Sequence, residues 1–288
     1  LSSPIDRRPK FHLYQPNIAL ISGIAWDHIN VFPTYENYVE QFEIFIQKIT
    51  NGGILVYNEN DPEVKRVAEA ATNPIRKIAY HTPEYTVENG VTLLETPEGP
   101  MPIEVFGAHN LNNLAGAKWI CQNMGVDEAD FYEAIASFKG ASKRLEKIAE
   151  SKTKVAYKDF AHSPSKVAAT TKAVKEQYPN RTLVACLELH TYSSLNAEFL
   201  KEYEGALDNA DVAVVFYSPD AVKIKQLEEV TYEQIAQAFK RDDLIIYTNP
   251  EEFKDFLFNR DLENSALLLM SSGNYGGLNF DEVKNLIN

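Results

Sequence analysis

The stretch GAHNLNNLAGA, residues 107–117, places polar side chains at the start of an Ala-rich helix. Asn is a poor residue for a helix interior but a good one for the first turn, where its side chain caps backbone N–H groups. Asn110 and Asn113 are three residues apart and therefore share a helix face, close to Gly107 and His109. An Asn amide can also pair with N6 and N7 of adenine. The residues leave two interpretations open, a helix cap and an adenine site.

A second polar group, in DFAHSPSK, follows the apolar stretch VAYK. Ser163 followed by Pro164 predicts a helix start, because Pro suits the first helical position. A helix that starts after a strand can bind an anion with its backbone N–H groups, and Asp159 and His162 stand beside this one. An ordinary capped helix explains the same residues equally well.

Two isolated residues also have the chemistry of ligands. His28 comes after an apolar run and directly after Asp27, and a neutral imidazole can bind a divalent metal. No second ligand is spaced to help it, so a hydrogen-bonded surface residue is the alternative. Arg144 can clamp a phosphate or pair with a carboxylate.

Polar residues also cluster at the end of the apolar run TLVACLEL, where Glu188 precedes the last Leu and His190 and Tyr192 follow it. In parallel sheets, ligands bind beyond the carboxyl ends of strands. The segment HTYSS is therefore a candidate substrate loop, although a solvated loop would have the same composition. The glycines of SSGNYGG lack the spacing of a dinucleotide-binding loop.

Apolar periodicity predicts the elements that must position these residues. In the first half we expect a helix at about 34–49 that begins at Thr34, and hairpins or an irregular excursion at 81–104. The other predicted elements are strands at 17–24, 54–57 and 75–80 and helices at 63–71, 109–123 and 127–138.

After FKGASKRLE the pattern restarts with five apolar runs, VAYKDF, TLVACLEL, DVAVVFY, DLIIYT and ALLLMS. Helical stretches between them predict an α/β fold with a parallel sheet covered on both faces. We place a domain boundary near Ala141–Ser142, which gives domains at 1–141 and 142–288.

The composition excludes several function classes. The chain has 288 residues, a net charge of −13 and 44% hydrophobic residues, so we expect neither nucleic acid nor a membrane surface as a partner. The two cysteines, Cys121 and Cys186, are too few for a disulfide framework and indicate buried, reduced thiols. No apolar run approaches the roughly 20 residues that span a bilayer. A cytoplasmic protein is the expectation.

Four stretches together resemble the Mur ligases, the ATP-dependent amide-forming enzymes of peptidoglycan assembly. They are IAWDHINVF, GAHNLNNLAGA, FKGASKRLE and KDFAHSPSKV, in the order of the family's motifs. The resemblance implies the remainder of a central ATPase domain followed by a Rossmann-like C-terminal domain with a mostly parallel sheet. It favours the adenine interpretation over the cap and implies ATP contacts from His109, Asn110, Asn113, Arg144, Asp159 and His162. It also implies that His28 contacts Mg²⁺.

Within the family, IDRRPKFHLYQP and MSSGNYGG resemble the branch that joins UDP-N-acetylmuramate to the recycled murein tripeptide L-Ala-γ-D-Glu-meso-diaminopimelate. Peptide contacts would come from His190, Tyr192, Ser193 and Asn274. Alanine-adding relatives carry His-Arg-Tyr-Ser-Arg where this chain has HTYSS, without either Arg. Phe42 stands where other relatives carry a carbamylated Lys.

The resemblance also implies what lies outside the sequence. The family's UDP-sugar domain, P-loop and acidic magnesium ligand would precede Leu1, so we expect a piece of a longer protein that is inactive by itself. The alternatives are a UDP-N-acetylmuramate–L-alanine ligase and a non-catalytic nucleotide-binding module of the same fold.

Overall fold

The computed structural model describes residues 5–228 and 230–288. Backbone contacts divide the chain into two compact units. Unit 1 contains the chain up to Thr86 together with Thr92–Phe138, and unit 2 contains Val87–Val91 together with Lys139–Asn288. Each unit has a hydrophobic core of its own.

The first sheet of unit 1 has three parallel strands in the order β1-β2-β3. The strands are β1 (Ile18–Ile21), β2 (Ile54–Asn58) and β3 (Arg76–Tyr80), and the connecting helices are α1 (Tyr35–Gln47) and α2 (Pro62–Ala70). The strand predicted at 17–24 ends earlier, because the next backbone groups bond to side chains. The Ser22 carbonyl accepts from Asn58 Nδ2 (2.9 Å), and the Ile24 N–H donates to Asp61 Oδ2 (2.9 Å).

Both helices begin at side-chain caps. The predicted cap Thr34 is confirmed, since its Oγ1 accepts from the Asn37 N–H (3.2 Å). At α2 the cap is Asp61, whose Oδ1 accepts from the N–H groups of Glu63 and Val64 (both 3.0 Å). A cap of this kind satisfies donors that have no partner within the helix.

The segment 81–104 forms hairpins, one of the two predicted alternatives. Its strands are β4 (Tyr85–Glu88), β5 (Val91–Thr96) and β6 (Gly99–Ile103), in the order β4-β5-β6. Between β5 and β6, Thr96 Oγ1 donates to the Gly99 carbonyl (2.7 Å) and closes a tight turn. Two predicted helices follow, α3 (Ala108–Asn123) and α4 (Glu128–Ala136).

Unit 2 contains a six-stranded sheet in the order β11-β10-β9-β12-β8-β7. Its strands are β7 (Glu146–Glu150), β8 (Lys154–Asp159), β9 (Thr182–Leu189), β10 (Val212–Tyr217), β11 (Ile245–Tyr247) and β12 (Ser265–Met270). All neighbours pair in parallel except β7, which is antiparallel to β8. The mostly parallel sheet is confirmed, but the prediction missed β7. This edge strand mixes charged and apolar residues and therefore has no apolar run.

Helices surround this sheet, as the pattern of the sequence predicts. They are α5 (Pro164–Gln177), α6 (Ala197–Leu200), α7 (Pro219–Ile224), α8 (Tyr232–Phe239), α9 (Pro250–Asn259) and α10 (Phe280–Ile287). Every residue of β12 is buried, which is the burial expected of a central strand covered on both faces. Met270, its last residue, is level with Asp159 of β8 and Leu187 of β9, so the loops after these three strands leave from one edge.

Two further expectations concerned buried, reduced thiols and membrane-spanning segments. Cys186 is buried, whereas Cys121 is only half-buried, and neither forms a disulfide. Within residues 5–228 and 230–288, none of the helices combines the length and the apolar character needed to cross a bilayer.

Candidate functional site

The start of α3 is set by a glycine rather than by an Asn cap. Gly107 occupies the N-cap position with φ of 86°, a conformation that costs a residue without a Cβ little. Asn110 lies one turn inside, where its Nδ2 donates to the Phe106 carbonyl (3.0 Å). The cap interpretation of Asn110 is therefore wrong. Its amide nitrogen is engaged locally, which leaves its oxygen as the available group.

The side chain of Asn113 is available to a ligand. It is exposed, and in the part of the chain that the structure describes its side chain makes no hydrogen bond. Both its donor and its acceptor can therefore face a ligand. His109 lies in the first turn and is half-buried. The three predicted residues are brought together on one helix, and their contact with ATP stays a prediction.

The third Asn of this motif, Asn112, was not assigned a role from the sequence. It is 7% exposed, and its Nδ2 lies 3.0 Å from Asn58 Oδ1, 3.2 Å from Thr82 Oγ1 and 3.4 Å from Asn60 Oδ1. Asn58 ends β2, Asn60 follows β2 and Thr82 follows β3, so the amide ties α3 to the carboxyl edge of the unit 1 sheet. The spacing of the sequence could have indicated that Asn112 is buried, because it shares a helix face with buried Ala115 and Gly116.

Gly116 brings α3 close to the sheet. A Cβ at this position would lie 2.9 Å from the Tyr80 ring and 3.0 Å from a Leu20 methyl carbon. Together, Asn112 and Gly116 fix the rotation of α3 about its axis. That rotation decides that Asn113 faces solvent while Asn112 does not.

His28 offers one nitrogen but no metal cage. Its backbone has φ of 57°, its N–H donates to the buried Asp27 Oδ1 (2.6 Å), and 59% of its side chain is exposed. Among the residues that the structure describes, no group of three or more His, Cys, Asp and Glu is arranged to hold a metal ion. The described residues do not form a magnesium site by themselves, and the His28–Mg²⁺ contact stays a prediction.

In unit 2, Asp159 holds two backbone segments together, the one directly before β7 and the one directly after β8. Its two carboxylate oxygens accept from the N–H groups of Leu145 and Ala161, each at 2.6 Å. Burial raises the pKa of the Asp159 carboxyl above its ordinary value, and the two N–H donors oppose that shift. Leu145 follows Arg144, so the carboxylate also fixes the segment that carries this guanidinium.

Arg144 is exposed, and its guanidinium lies 5.4 Å from the centre of the Phe160 ring. At an exposed site a cation–π contact contributes only about 0.5–1 kcal/mol, so it holds the guanidinium weakly. A guanidinium held in this way can bind phosphate oxygens bidentately. The structure brings Arg144, Asp159 and His162 into one loop region of unit 2.

His162 is buried beside the start of α5. Its Nδ1 lies 2.7 Å from the Phe160 carbonyl, and its own carbonyl accepts from Tyr203 Oη. The predicted start of α5 is confirmed: Ser163 occupies the N-cap position and Pro164 the first helical position. The Ser163 side chain makes no capping hydrogen bond, so the backbone N–H groups of this turn are not occupied by it.

The loop after β9 contains three of the four predicted peptide contacts. His190 and Tyr192 are partly exposed, whereas Ser193 is buried with 4% exposure. A turn in which Thr191 and Ser194 exchange hydrogen bonds of 2.9 and 3.1 Å holds the loop. His190 and Tyr192 are therefore available to a ligand, and Ser193 is much less so.

The fourth predicted contact, Asn274, lies in the loop after β12 and is exposed. Its neighbour Tyr275 is fully buried with φ of 53°, and its ring stacks on Phe253 with 4.9 Å between centres. Its hydroxyl lies 2.7 and 2.8 Å from the carbonyls of Cys186 and Met270. The sequence prediction did not identify this anchor.

Two sequence profiles match the chain and together cover most of it. Residues 3–121 match the Mur ligase middle domain, and residues 143–273 match the domain described as Mur ligase, glutamate ligase domain. The chain belongs to the Mur ligase family. The α/β fold class, a Mur middle domain followed by a Mur C-terminal domain, is thereby confirmed.

One curated relative bears on the question of which branch of the family the chain resembles. The UDP-N-acetylmuramate–L-alanine ligase of Sulfurihydrogenibium sp. (strain YO3AOP1) is 26% identical over 267 residues, which are 90% of this chain and 58% of that protein. The chain therefore spans little more than half the length of this curated relative.

Two solved structures resemble the fold. The UDP-N-acetylmuramate–alanine ligase of Thermotoga maritima matches with a TM-score of 0.64 and 17% identity, over 98% of this chain and 61% of that one. A murein peptide ligase of Psychrobacter arcticus 273-4 matches with a TM-score of 0.63 and 18% identity, over 99% and 60%. At these identities the likeness concerns the fold alone, and the two scores do not separate the branches.

Proposed function

We propose that this chain provides nucleotide and acceptor contacts of an ATP-dependent amide ligase that joins UDP-N-acetylmuramate to the murein tripeptide L-Ala-γ-D-Glu-meso-diaminopimelate. The observation that carries the nucleotide part is Asn113, an exposed amide with both polar groups available on a helix that buried contacts hold in place. In unit 2, Arg144 is exposed and its guanidinium lies over the Phe160 ring. We assign adenine to Asn113 and phosphate to Arg144.

The reaction needs little covalent participation by the protein. The terminal phosphoryl group of ATP is transferred to the muramate carboxylate, which gives an acyl phosphate and ADP. The free amine of the peptide then attacks the acyl carbon, the new C–N bond forms, phosphate leaves with the C–O bond electrons, and the amine loses its proton. Holding the reactants and neutralising phosphoryl charge supply most of the rate enhancement in such transfers.

The loop after β9 supports the tripeptide as acceptor. Its residues from His190 to Ser194 include no Arg, and Tyr192 offers an exposed aromatic ring. Without the two Arg of the alanine-adding relatives, the loop would contact its acceptor through the His190 imidazole and the Tyr192 ring, and an acceptor longer than one amino acid can reach both.

A second acceptor has an observation of its own. The curated relative at 26% identity is named for L-alanine and matches 90% of this chain. L-Alanine is therefore the alternative acceptor, with the same nucleotide contacts and the same acyl-phosphate chemistry.

The test is release of ADP by the protein expressed from its complete reading frame, with UDP-N-acetylmuramate and either the tripeptide or L-alanine. We expect release that depends on the tripeptide. Release with L-alanine only would assign the protein to the alanine-adding branch. Release with neither, while ADP still binds to the chain, would make it a nucleotide-binding module without ligase activity.

A further inference from the structure

A buried carboxylate joins the loops after β9 and β12. Glu188, the penultimate residue of β9, has a side chain that is only 3% exposed. Its Oε2 accepts from the hydroxyl of Ser271 and from the N–H of Tyr275 (2.9 Å). Ser271 Oγ in turn accepts from the Gly273 N–H (2.7 Å). We call Glu188, Ser271 and Tyr275 the carboxylate bracket, since one side chain holds the neighbouring loop at two points.

The other carboxylate oxygen faces the loop of its own strand. Glu188 Oε1 lies 3.6 Å from His190 Nδ1, a distance for an ion pair with a protonated imidazole rather than for a hydrogen bond. A Cβ on Gly273 would lie 2.8 Å from Glu188 Oε2 and 3.0 Å from His190 Cγ. The absence of a side chain at 273 therefore lets both loops approach the same carboxylate.

The core holds the far side of the second loop. Tyr275 is anchored by its stack on Phe253 and by its hydroxyl, while its N–H belongs to the bracket. The Asn274 carbonyl accepts from the N–H groups of Gly277 (3.0 Å) and Leu278 (2.8 Å). The backbone on both sides of Asn274 is thus fixed, and its exposed side chain is carried on an ordered loop.

We infer that Glu188 is a positioning residue for the acceptor: its carboxylate fixes the loops after β9 and β12 relative to each other, so that His190 and Asn274 face the peptide together. The inference rests on the proposed function, because that function assigns the acceptor to these loops. Glu188 is too deeply buried to touch the acceptor itself. Loops are the more mobile parts of a fold, and fixing them beforehand lowers the entropy lost on binding.

The inference predicts a selective defect. In Glu188→Leu the Ser271 hydroxyl and the Tyr275 N–H lose their acceptor, so we expect the KM for the tripeptide to rise about tenfold while the KM for ATP stays within twofold. Glu188→Gln keeps one carbonyl oxygen for these donors, so its KM for the tripeptide should lie close to the wild-type value.

A matched control separates positioning from general loss of stability. Cys186 lies two residues earlier on β9, on the same face and fully buried. Cys186→Ala removes buried volume but keeps the backbone carbonyl that accepts from Tyr275 Oη and both hydrogen bonds of Glu188, so we expect the tripeptide KM to be unchanged. If Cys186→Ala raises it as much as Glu188→Leu does, or if Glu188→Leu raises both KM values equally, the positioning role is refuted.

Amide hydrogen exchange provides a second readout that does not depend on catalysis. Peptides that cover Gly273 and Tyr275 should exchange faster in Glu188→Leu and at the wild-type rate in Cys186→Ala. If Glu188→Leu does not fold, Gly273→Ala, which crowds the carboxylate and His190, replaces it with the same expectation. Unchanged exchange would refute the bracket, whereas absence of ADP release with any acceptor would refute only the proposed function.

Discussion

Asn112 in unit 1 and Glu188 in unit 2 are buried polar side chains that tie neighbouring segments together, and they differ in kind. In unit 1 the neutral amide of Asn112 meets three side-chain oxygens. Glu188 in unit 2 accepts from a hydroxyl and a backbone N–H. An amide nitrogen has two N–H groups and cannot satisfy three oxygens at once, whereas a carboxylate has room for several donors.

The difference lies in what remains after the side chain is removed. Without Asn112, the Asn58 and Asn60 oxygens still accept from the N–H groups of Asn60 (3.0 Å) and Thr82 (2.8 Å). Without Glu188, the Tyr275 N–H and the Ser271 hydroxyl lose the acceptor that holds their loop. Unsatisfied buried groups are costly, so the carboxylate should matter more than the amide.

The largest effect on stability is expected for Glu188→Leu. Leaving two donors without their charged acceptor should lower the free energy of unfolding of unit 2 by about 3 kcal/mol. Urea unfolding, monitored by the hydrogen exchange of peptides from β9 and β12, measures this loss. A loss below that of Asn112→Leu would reverse the ranking of the two sites.

A smaller effect is expected for Asn112→Leu. Because its partner oxygens keep other donors, the free energy of unfolding of unit 1 should fall by about 1 kcal/mol. Both tryptophans, Trp26 and Trp119, belong to unit 1, so tryptophan fluorescence during urea unfolding reports on this unit. Asn113→Ala, on the exposed face of the same helix, is the control and should leave the transition unchanged. Equal losses in the two variants would contradict the assigned rotation of α3.

The smallest effect concerns pH and Asp159. Its carboxyl pKa is raised above the ordinary 3.8 in the folded protein, chiefly by burial. Between pH 3.8 and the folded pKa, the Asp159 carboxyl therefore binds more protons in the folded state than in the unfolded state. The contribution of Asp159 to the free energy of unfolding consequently falls as the pH rises through this range. Asp159→Asn has no such titration. The difference in unfolding free energy, wild type minus Asp159→Asn, should shrink with rising pH, and a growing difference would contradict the shift.

The sequence predicts the elements better than their orientation. Apolar runs identified the five strands β8, β9, β10, β11 and β12, but the charged edge strand β7 has no such run. Spacing placed Asn110 and Asn113 on one face, yet their roles depend on local bonds: the Asn110 amide turns back to Phe106, and only Asn113 remains fully available. The Asn110 bond depends on how the chain enters the helix at Gly107, whose φ of 86° the residue types alone do not specify.

The buried positioning residues left weaker traces in the sequence. Glu188 is an acid inside the apolar run TLVACLEL, and a charge on a buried strand requires partners. The sequence does not reveal that those partners lie more than eighty positions away, at Ser271 and Tyr275. The pairing follows from β12 lying next to β9 in the sheet, which is a property of the topology.

The most direct test of the account combines one exposed residue from unit 1 with the bracket of unit 2. The KM for ATP and the KM for the tripeptide are measured by ADP release for wild type, Asn113→Ala and Glu188→Leu, in the protein expressed from its complete reading frame. We predict that Asn113→Ala raises the KM for ATP about tenfold and leaves that for the tripeptide unchanged, while Glu188→Leu does the reverse. If both variants raise the same KM, or neither raises either one, the division of nucleotide and acceptor contacts between these residues is wrong.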